Sequence, residues 1–267
     1  MSNHHLAETV LLEGPDAQAF AHAQFSSKVD SLTTGHWQFS AWLDPQGRVC
    51  SFFHMAMLGD ERYLLMLRGG DAASLVTELQ RFVFRSKVRI TALLPRSIAT
   101  RSSAPLYGIE QEPDALIFGC GDHSMAISTE GSSDDGWRLP QLRAGWPWLI
   151  PAILREFLPA ALSLQRLGAV AVDKGCYPGQ EIVARLHFRG GHKRHMHRCK
   201  LSHAVDAGEA LLVEGREVGR VLFAVCTEQG NEALVVLNDD VAEQTRAGIF
   251  NAFDNKLALD LQASWPA

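Results

Sequence analysis

The stretch KGCYPGQEIVAR, Lys174 to Arg185, places a lone cysteine beside a tight turn and the start of a helix. Gly175 and Gly179 bracket the cysteine, and glycine permits a backbone path close to a ligand. The proline between them suits the entry of a helix. If Gln180–Leu186 is helical, Cys176 lies just before its positive N-terminal end. The stretch therefore predicts a cysteine loop that leads directly into a helix.

Two groups in this stretch favour a cysteine thiolate. One is the helix end, and the other is the ammonium of Lys174, two residues before Cys176. Together they can lower the pKa of a cysteine from about 8.5 into the range of reactive cysteines. Tyr177 adds a flat ring with a hydroxyl group. The alternative is a small buried cysteine that fills a gap under a glycine-rich turn, since free cysteine is among the most buried residue types.

The composition is that of a globular protein without a disulfide framework. The chain has 267 residues, 46% of them apolar, which is enough for one large domain or two ordinary ones. Its five cysteines are widely spaced and form no CxxC pair, a pattern typical of a reducing compartment. No apolar run approaches the roughly 18–20 residues of a membrane span, and the N-terminus lacks a signal-peptide pattern. We expect a soluble cytoplasmic protein with no membrane association.

Charge is distributed unevenly along the chain. The net charge is −5 at pH 7, yet the segment from Arg185 to Lys200 contains four Arg, two Lys, four His and no acidic residue. A local basic patch on an acidic protein can attract a small polyanion without general nucleic-acid binding. We expect no direct nucleic-acid partner; a module that uses this patch on RNA is the alternative.

The hydrophobic pattern divides the chain into a mixed N-terminal part and a β-rich C-terminal part. Between residues 8 and 94, strand and helix patterns follow in the order of a split βαβ unit. Asp44–Gly47 predicts a hairpin turn, and Asp71 predicts a helix cap. Ile150–Leu158 carries a helical signal. From Met196 onward, strand-like runs separated by Gly and Asp predict a small barrel or sandwich.

Several kinds of site are absent from the sequence. There is no GxGxxG or GxxxxGK[ST] loop and no GxSxG elbow, so nucleotide-phosphate and hydrolase functions are unsupported. His195, His197 and Cys199 alternate along a presumed strand and share one face. Because no fourth ligand stands at a recognisable spacing, we expect no metal site.

The cysteine stretch and the residues after it resemble the signature of the YgfZ-type folate-binding proteins. These are relatives of the glycine-cleavage T-protein, an aminomethyltransferase, and of mitochondrial iron–sulfur assembly factors. The matching residues are Lys174, Gly175, Cys176, Tyr177, Gly179, Gln180, Glu181, Val183, Ala184, Arg185, Phe188, Arg189 and Gly190. Further similarities, at Gly14, Asp16, Gln24, Asp44 and Gly47 among others, extend over nearly the whole chain.

The resemblance implies an α+β, T-protein-like fold. In that fold, ferredoxin-like α+β subdomains surround a central folate pocket and a C-terminal β-barrel follows. It implies a folate-binding domain over 1–194, with two subdomains that divide near 95–105, and a barrel domain over 195–267. The implied cofactor is tetrahydrofolate or a derivative. The implied function is to support the synthesis or repair of iron–sulfur clusters, including those of tRNA-modifying radical enzymes.

The resemblance also implies roles for individual residues. Cys176 is the expected reactive thiol, and Lys174 is its expected electrostatic activator. The expected cofactor-binding residues are Trp137, Tyr177, Gln180, Glu181, Arg185, Arg189 and Gln24. The partners implied are folate and iron–sulfur client proteins or assembly machinery. The alternative function is a folate-dependent aminomethyl or one-carbon transferase, for which the sequence shows no catalytic carboxylate at a matching position.

Four residues depart from the family pattern. Two of them are Ala7, where relatives carry a tryptophan, and Ser163, where an asparagine is common. Arg143 stands where relatives tend to have a glutamate, and Lys28 stands where an aspartate is usual. Replacing a carboxylate by a guanidinium reverses the hydrogen-bonding sense at that position.

Overall fold

The computed structural model of the protein describes residues 6–102, 104–248, 250 and 252–265. The outer limits of the two expected domains, 1–5 and 266–267, lie outside the described residues. The strands are β1 Leu6–Ala7, β2 Thr9–Glu13, β3 Trp37–Leu43, β4 Val49–Gly59, β5 Arg62–Leu67, β6 Arg89–Ala92, β7 Arg96–Arg101, β8 Ile109–Gln111, β9 Ala115–Gly119, β10 Ser124–Ser128, β11 Arg194–Leu201, β12 Ala210–Val213, β13 Arg216–Thr227, β14 Gly230–Asn238 and β15 Leu259–Trp265. The helices are α1 Ala17–Gln24, α2 Ala72–Leu79, α3 Arg138–Arg143, α4 Gln180–Arg189 and α5 Asp239–Arg246.

The strands form three five-stranded antiparallel sheets. Sheet I has the order β3-β4-β5-β2-β6, sheet II the order β1-β7-β10-β9-β8, and sheet III the order β12-β13-β14-β11-β15. The predicted hairpin turn joins β3 to β4, where the backbone N–H of Gly47 donates to the carbonyl of Asp44 at 2.9 Å. Gly47 has φ 78°, the left-handed conformation that glycine adopts readily. The expected α+β class is confirmed.

Sheet I has a helix-covered face and a face directed at the centre of the molecule. Alternate residues of a strand point to opposite faces. Val10 and Leu12 pack with Phe20 of α1 and Leu75 of α2 on one face. Leu11, between them, belongs to the large central core on the other face. Both helices therefore lie on the same side, as the split βαβ pattern predicts.

Sheets II and III also direct one face at the central core. Phe118 and Met125 of sheet II and Leu234 and Val236 of sheet III are buried in it. On its other face, sheet III builds a separate core in which Val235 packs with residues of α5. The centre of the molecule is thus a layer of side chains that all three sheets share, and its packing joins the parts of the chain.

A buried polar network runs through this centre and is anchored by Arg68, which has no exposed surface. Its Nε donates to the carbonyl of Pro147 at 2.8 Å and its Nη2 to that of Trp146 at 2.8 Å. Its Nη1 lies 2.9 Å from His54 Nε2 and 2.8 Å from Gln141 Oε1. Burial lowers the pKa of the Arg68 guanidinium to about 9. Arg68 therefore ties sheet I to α3 and to the segment that follows it.

The donor-only chemistry of arginine fixes the hydrogen positions along this network. His54 Nε2 must accept from Arg68, so its proton is on Nδ1. Gln141 Oε1 also accepts, so its Nε2 donates to His123 Nε2 at 2.8 Å. The remaining nitrogen of His123 carries the proton and lies 2.6 Å from Asp122 Oδ1. An ordered chain of hydrogen bonds thus leads from the core to a surface carboxylate.

The helix predicted over Ile150–Leu158 is absent, and that prediction is wrong. The segment contains only a 3₁₀ turn at Pro151–Ile153. The N–H of Leu149 donates to the carbonyl of Arg68, and that of Arg155 donates to the carbonyl of Val49, both at 2.8 Å. The N–H of Arg155 is therefore used by Val49 of β4 and cannot donate to a carbonyl within the segment, as a helical turn would require. Within the described residues, no helix combines the length and apolar character needed to cross a bilayer.

Candidate functional site around the cysteine loop and helix α4

The cysteine loop, residues 173–179, packs against the β3–β4 hairpin turn. Gly179 precedes α4 with φ 77° and ψ 0°, a left-handed conformation. A methyl group at this position would lie 2.6 Å from the carbonyl oxygen of Asp44 and 2.7 Å from the Cα of Gly47. Both the backbone conformation and the lack of space therefore require glycine here. The loop is therefore positioned by the close contact of Gly179 with Gly47 of the hairpin turn, although the two glycines are far apart in the sequence.

Substituting Gly179 by alanine is expected to lower the free energy of unfolding by about 3 kcal/mol. Roughly 1 kcal/mol comes from the left-handed backbone and roughly 2 kcal/mol from overpacking against the hairpin turn. The matched control is Gly215→Ala, which has φ 73° but no atom within 4 Å of the added methyl group. Urea denaturation of both variants measures the difference. Equal losses would show that the contact with the hairpin turn carries no energy.

Lys174 anchors the start of the loop to the end of α1. Its Nζ donates to the carbonyls of His22 at 2.6 Å, Phe25 at 2.7 Å and Ser27 at 2.8 Å. An ammonium has three N–H donors, and these three bonds use all of them. Lys174 thus satisfies carbonyls that the end of a helix leaves unpaired. Burial lowers the pKa of the Lys174 ammonium to about 8.

Tyr177 and Gln180 hold the loop from the inside. Tyr177 is buried, its hydroxyl donates to the carbonyl of Ala171 at 2.9 Å, and burial raises the pKa of the phenol. The ammonium of Lys174 lies 5.2 Å from the centre of the Tyr177 ring, a favourable cation–π distance. Gln180 Nε2 donates to the carbonyl of Lys174 at 3.1 Å. Tyr177 thus binds the segment that leads into the loop, and Gln180 binds the start of the loop itself.

Cys176 is a free and exposed thiol at the outer side of this braced loop. Its exposure excludes the alternative of a buried cysteine that fills a gap. By contrast, Cys50 and Cys120 are buried, and burial raises the pKa of each thiol to about 11. Cys199 is also buried, with its thiol pKa raised by the same cause. The loop, held in place by Lys174 and Tyr177, therefore exposes the sulfur atom of Cys176 to solvent.

The structure brings most of the predicted site residues together. Gln24 is the last residue of α1, next to the carbonyls that bind Lys174, and its Oε1 is buried without a partner among the described residues. Glu181, Arg185 and Arg189 are exposed on α4. Trp137 is the exception, because it has no exposed surface and packs against Trp148 with ring centroids 5.1 Å apart.

Two cavities flank α4 near the loop. The larger, of about 410 Å³, is lined by Lys28, Ser31, Gln38, Gln165, Gly168, Val170, Ala171, Val172, Asp173 and His187. The smaller, of about 170 Å³, is lined by Leu158, Pro159, Ala160, Gln165, Ile182, Val183, Leu186, His187, Gly190, Gly191, His192 and His195. Gln165 and His187 border both. The segment Val170–Asp173, which leads into the cysteine loop, forms one wall of the larger cavity.

Sequence reasoning missed several residues of these cavities. Gln165 and His187 have ordinary sequence surroundings, and no local signal would have identified them. In the sequence, Lys28 stands out only as a departure from the family pattern. In the structure its Nζ lies 2.6 Å from Asp173 Oδ2, at the edge of the larger cavity. Lys28, at a position where an aspartate is usual, thus forms an ion pair with a carboxylate of the cysteine loop.

Arg143, another departure from the family pattern, forms an ion pair with Glu232. Its Nη2 lies 2.5 Å from Glu232 Oε1 and its Nε lies 3.0 Å from the same oxygen. This contact connects the end of α3 with β14. Arg143 lines neither of the two cavities beside α4.

The alternating residues of β11 have separate partners. His197 Nδ1 lies 2.8 Å from the Ser264 hydroxyl, while Cys199 is fully buried. Across the part of the chain that the structure describes, no group of three or more His, Cys, Asp and Glu side chains is placed to hold a metal ion.

No protein-family model matches the chain. The crystal structure of the glycine cleavage system aminomethyltransferase T from Bartonella henselae superposes with a TM-score of 0.67 and 16% identity, covering 88% of this chain and 77% of that one. The predicted T-protein-like fold is therefore confirmed.

Among the sequence relatives of the chain are tRNA-modifying proteins named YgfZ. The chain is 25% identical to the tRNA-modifying protein YgfZ of Escherichia coli strain S88, over 94% of this chain and 88% of the relative. It is 26% identical to YgfZ of Sodalis glossinidius, with 88% and 84% covered, and 25% identical to an uncharacterized Haemophilus influenzae protein, with 92% and 91% covered. The resemblance to YgfZ proteins that the cysteine stretch predicts is confirmed over nearly the whole chain.

Proposed function

We propose that this protein binds a reduced folate beside α4 and uses the thiol of Cys176 to support iron–sulfur enzymes, including those that modify tRNA. The observation that carries the proposal is the exposed Cys176 on a braced loop whose entry, Val170–Asp173, walls a cavity of about 410 Å³. A volume of this size lies within the range of about 300–1,000 Å³ typical of small-molecule sites. The name of the YgfZ relatives, tRNA-modifying protein, supports the link to tRNA.

The residues present fit a reduced folate in their chemistry. The larger cavity offers the amide of Gln165, the amide oxygen of Gln38, whose Nε2 already donates to Ser27 and Lys28, and apolar walls from Val170 and Val172. These groups suit a flat ring that both donates and accepts hydrogen bonds. Gln24, the remaining expected cofactor-binding residue of α1, lines neither cavity, and its buried Oε1 has no partner among the described residues.

The exposed arginines of α4 suit the other end of such a ligand. Arg185 and Arg189 are both exposed, four residues apart on a helix, which places them on one face. A guanidinium binds carboxylates in a bidentate manner, so this face can take the glutamate tail of a folate. Trp137 is left out of the proposed site because it has no exposed surface.

In this proposal, some residues hold the cysteine loop in place and Cys176 carries out the chemistry. Lys174, through its three carbonyl bonds, and Tyr177, through its hydroxyl, hold the loop that presents Cys176. A reduced folate can carry a one-carbon unit, which is the chemistry it would supply when bound. Cys176, as an exposed sulfur, can act as a nucleophile or as a transient ligand to iron handed on by a client protein.

The test replaces each of the two exposed cysteines separately. In a bacterial strain that lacks its own YgfZ, Cys176→Ser is expected to abolish rescue of iron–sulfur-dependent tRNA modification. Cys226→Ser, at the other exposed thiol, is expected to rescue as well as the unchanged protein. Thermal melts check that both variants are folded. Full rescue by Cys176→Ser would remove this cysteine from the function.

Calorimetric titration with tetrahydrofolate tests the ligand separately. Saturable binding is expected, and Gln165→Leu is expected to weaken it because this amide borders both cavities. Gln262→Leu, at an exposed position on β15, is the control. Rescue without measurable folate binding would retain the thiol function and reject the cofactor.

The likeness to an aminomethyltransferase fold favours a second candidate, a folate-dependent one-carbon transferase. That reaction needs a carboxylate near the transferred group. Among the described residues that line the larger cavity, Asp173 is the only carboxylate, and it is paired with Lys28. Tetrahydrofolate-dependent release of formaldehyde or ammonia from an aminomethyl donor would favour the transferase over the accessory role.

A further inference from the structure

His195 and Asp239 form a hydrogen-bonded pair outside the cysteine loop. His195 Nδ1 lies 2.6 Å from Asp239 Oδ1. The pairing of β11 with β14 places Arg194 opposite Asn238, and the N–H of Asp239 donates to the carbonyl of Lys193 at 3.0 Å. The carboxylate stands at the first residue of α5. The backbone of two strands and a helix thus fixes the pair.

The hydrogen bond determines how the imidazole can act. An ionised carboxylate only accepts, so the Nδ1 of His195 carries the proton and the Nε2 of the neutral ring holds a lone pair. The His195 side chain is 16% exposed, and its Nε2 is not among the buried atoms that lack a partner in the described chain. No hydrogen bond to a described residue occupies this nitrogen either. Nε2 is therefore an available proton acceptor.

The side chain of His195 borders two cavities. It lines the cavity of about 170 Å³ beside α4 and a second cavity of about 260 Å³ that Asp239 and His197 also line. Asp239 borders only the second one, so the carboxylate approaches the ring from that side. We infer that the other edge of the ring, which carries Nε2, faces the smaller cavity of about 170 Å³.

The smaller cavity, of about 170 Å³, suits a small ligand with a polar edge. One wall is apolar and includes Leu158, Ile182 and Leu186. The polar edge includes His192, whose ring centroid lies 5.5 Å from that of His195. An apolar cavity of about 150 Å³ can hold benzene. The available volume therefore corresponds to a ligand with a single ring.

We propose that this cavity binds one-ring molecules that carry an acidic O–H or N–H group and that His195 accepts their proton. The O–H or N–H bond of the ligand breaks and its electron pair stays on the ligand. The proton forms a new bond to Nε2, and the resulting imidazolium is stabilised by Asp239, as in other carboxylate–histidine pairs. Return of the proton reverses the step. His195 contacts the ligand, whereas Asp239 is a positioning residue.

The experiment uses 4-nitrophenol, whose ionised form has its own absorption band, with the full-length protein and without folate. At a pH below the pKa of the free dye, wild-type protein is expected to bind it with a phenolate-to-phenol ratio about tenfold higher than in solution. His195→Gln is expected to lose this increase. His203→Gln, a surface histidine whose Nδ1 lies 3.2 Å from the hydroxyl of Ser202, is the control and is expected to behave as wild type.

Asp239→Asn separates positioning from simple structural support. The variant is expected to bind the dye but to show less phenolate, and nitrogen NMR of its histidines is expected to show loss of the single Nδ1–H tautomer at His195. Absence of dye binding to the wild-type protein, or an unchanged phenolate ratio in His195→Gln, would overturn the proposal. Neither result bears on Cys176 or on tetrahydrofolate, so the proposed function is tested independently.

Discussion

Replacing Arg68 by methionine is expected to lower the free energy of unfolding by about 3–5 kcal/mol. Four acceptors lose their donor, namely the carbonyls of Trp146 and Pro147, the amide oxygen of Gln141 and the Nε2 of His54. A buried polar group left without a partner costs about 1–3 kcal/mol. The sum is partly offset because a buried charge no longer has to be desolvated.

The matched control lies at the start of β5, the strand that ends directly before Arg68. Arg62→Met removes an exposed arginine at the start of β5 that is paired with Glu13 at 3.3 Å. Such surface pairs contribute between about 0 and 1 kcal/mol, so little change is expected. Arg68→Lys is expected to fall between the two, because three donors in another geometry cannot serve four acceptors. Chemical denaturation measures all three, and an Arg68→Met protein as stable as Arg62→Met would show that the network is energetically neutral.

Replacing Lys174 by methionine is expected to cost about 2–3 kcal/mol and to abolish rescue of tRNA modification. The carbonyls of His22, Phe25 and Ser27 lose their donor, and water can replace it only in part because the site is half-buried. The loop that presents Cys176 then loses its connection to α1. The rescue assay and urea denaturation measure the two effects.

Lys28→Met is the control for this prediction. Lys28 is an exposed lysine paired with Asp173 at 2.6 Å, and its loss is expected to cost less than about 1 kcal/mol. If both lysine variants lose the same stability, the carbonyl anchor is no stronger than a surface ion pair.

The titration of Lys174 adds a dependence on pH. Its pKa is about 8 in the folded protein and about 10.4 in an unfolded chain. Between these values the unfolded chain binds more protons, so the contribution of Lys174 to stability rises with pH. The stability difference between wild type and Lys174→Met is therefore expected to grow from pH 8 to pH 10 and to be constant below pH 7. A difference that shrinks over the higher range would contradict the lowered pKa.

Local patterns predicted those elements whose causes are local. The Asp44–Gly47 turn, the Asp71 cap and α4 after Gly179 each depend on a few neighbouring residues, and the structure contains all three. The helix predicted over Ile150–Leu158 failed because Val49 of β4 accepts the N–H of Arg155. These two residues are more than a hundred positions apart in the sequence, so no window around the segment contains the cause.

The sequence alone determined that a cysteine stands at the entry of a helix in a T-protein-like chain, because the glycines, the proline and the order of the motif are local properties. Only the tertiary structure decided the role of its neighbours. Lys174 meets backbone carbonyls from α1, Lys28 meets the cysteine loop, Trp137 is buried in the core and His195 meets Asp239. The physical reason is that a long polar side chain takes the partner that folding brings within reach, and hydrogen bonds act over about 3 Å regardless of separation along the chain.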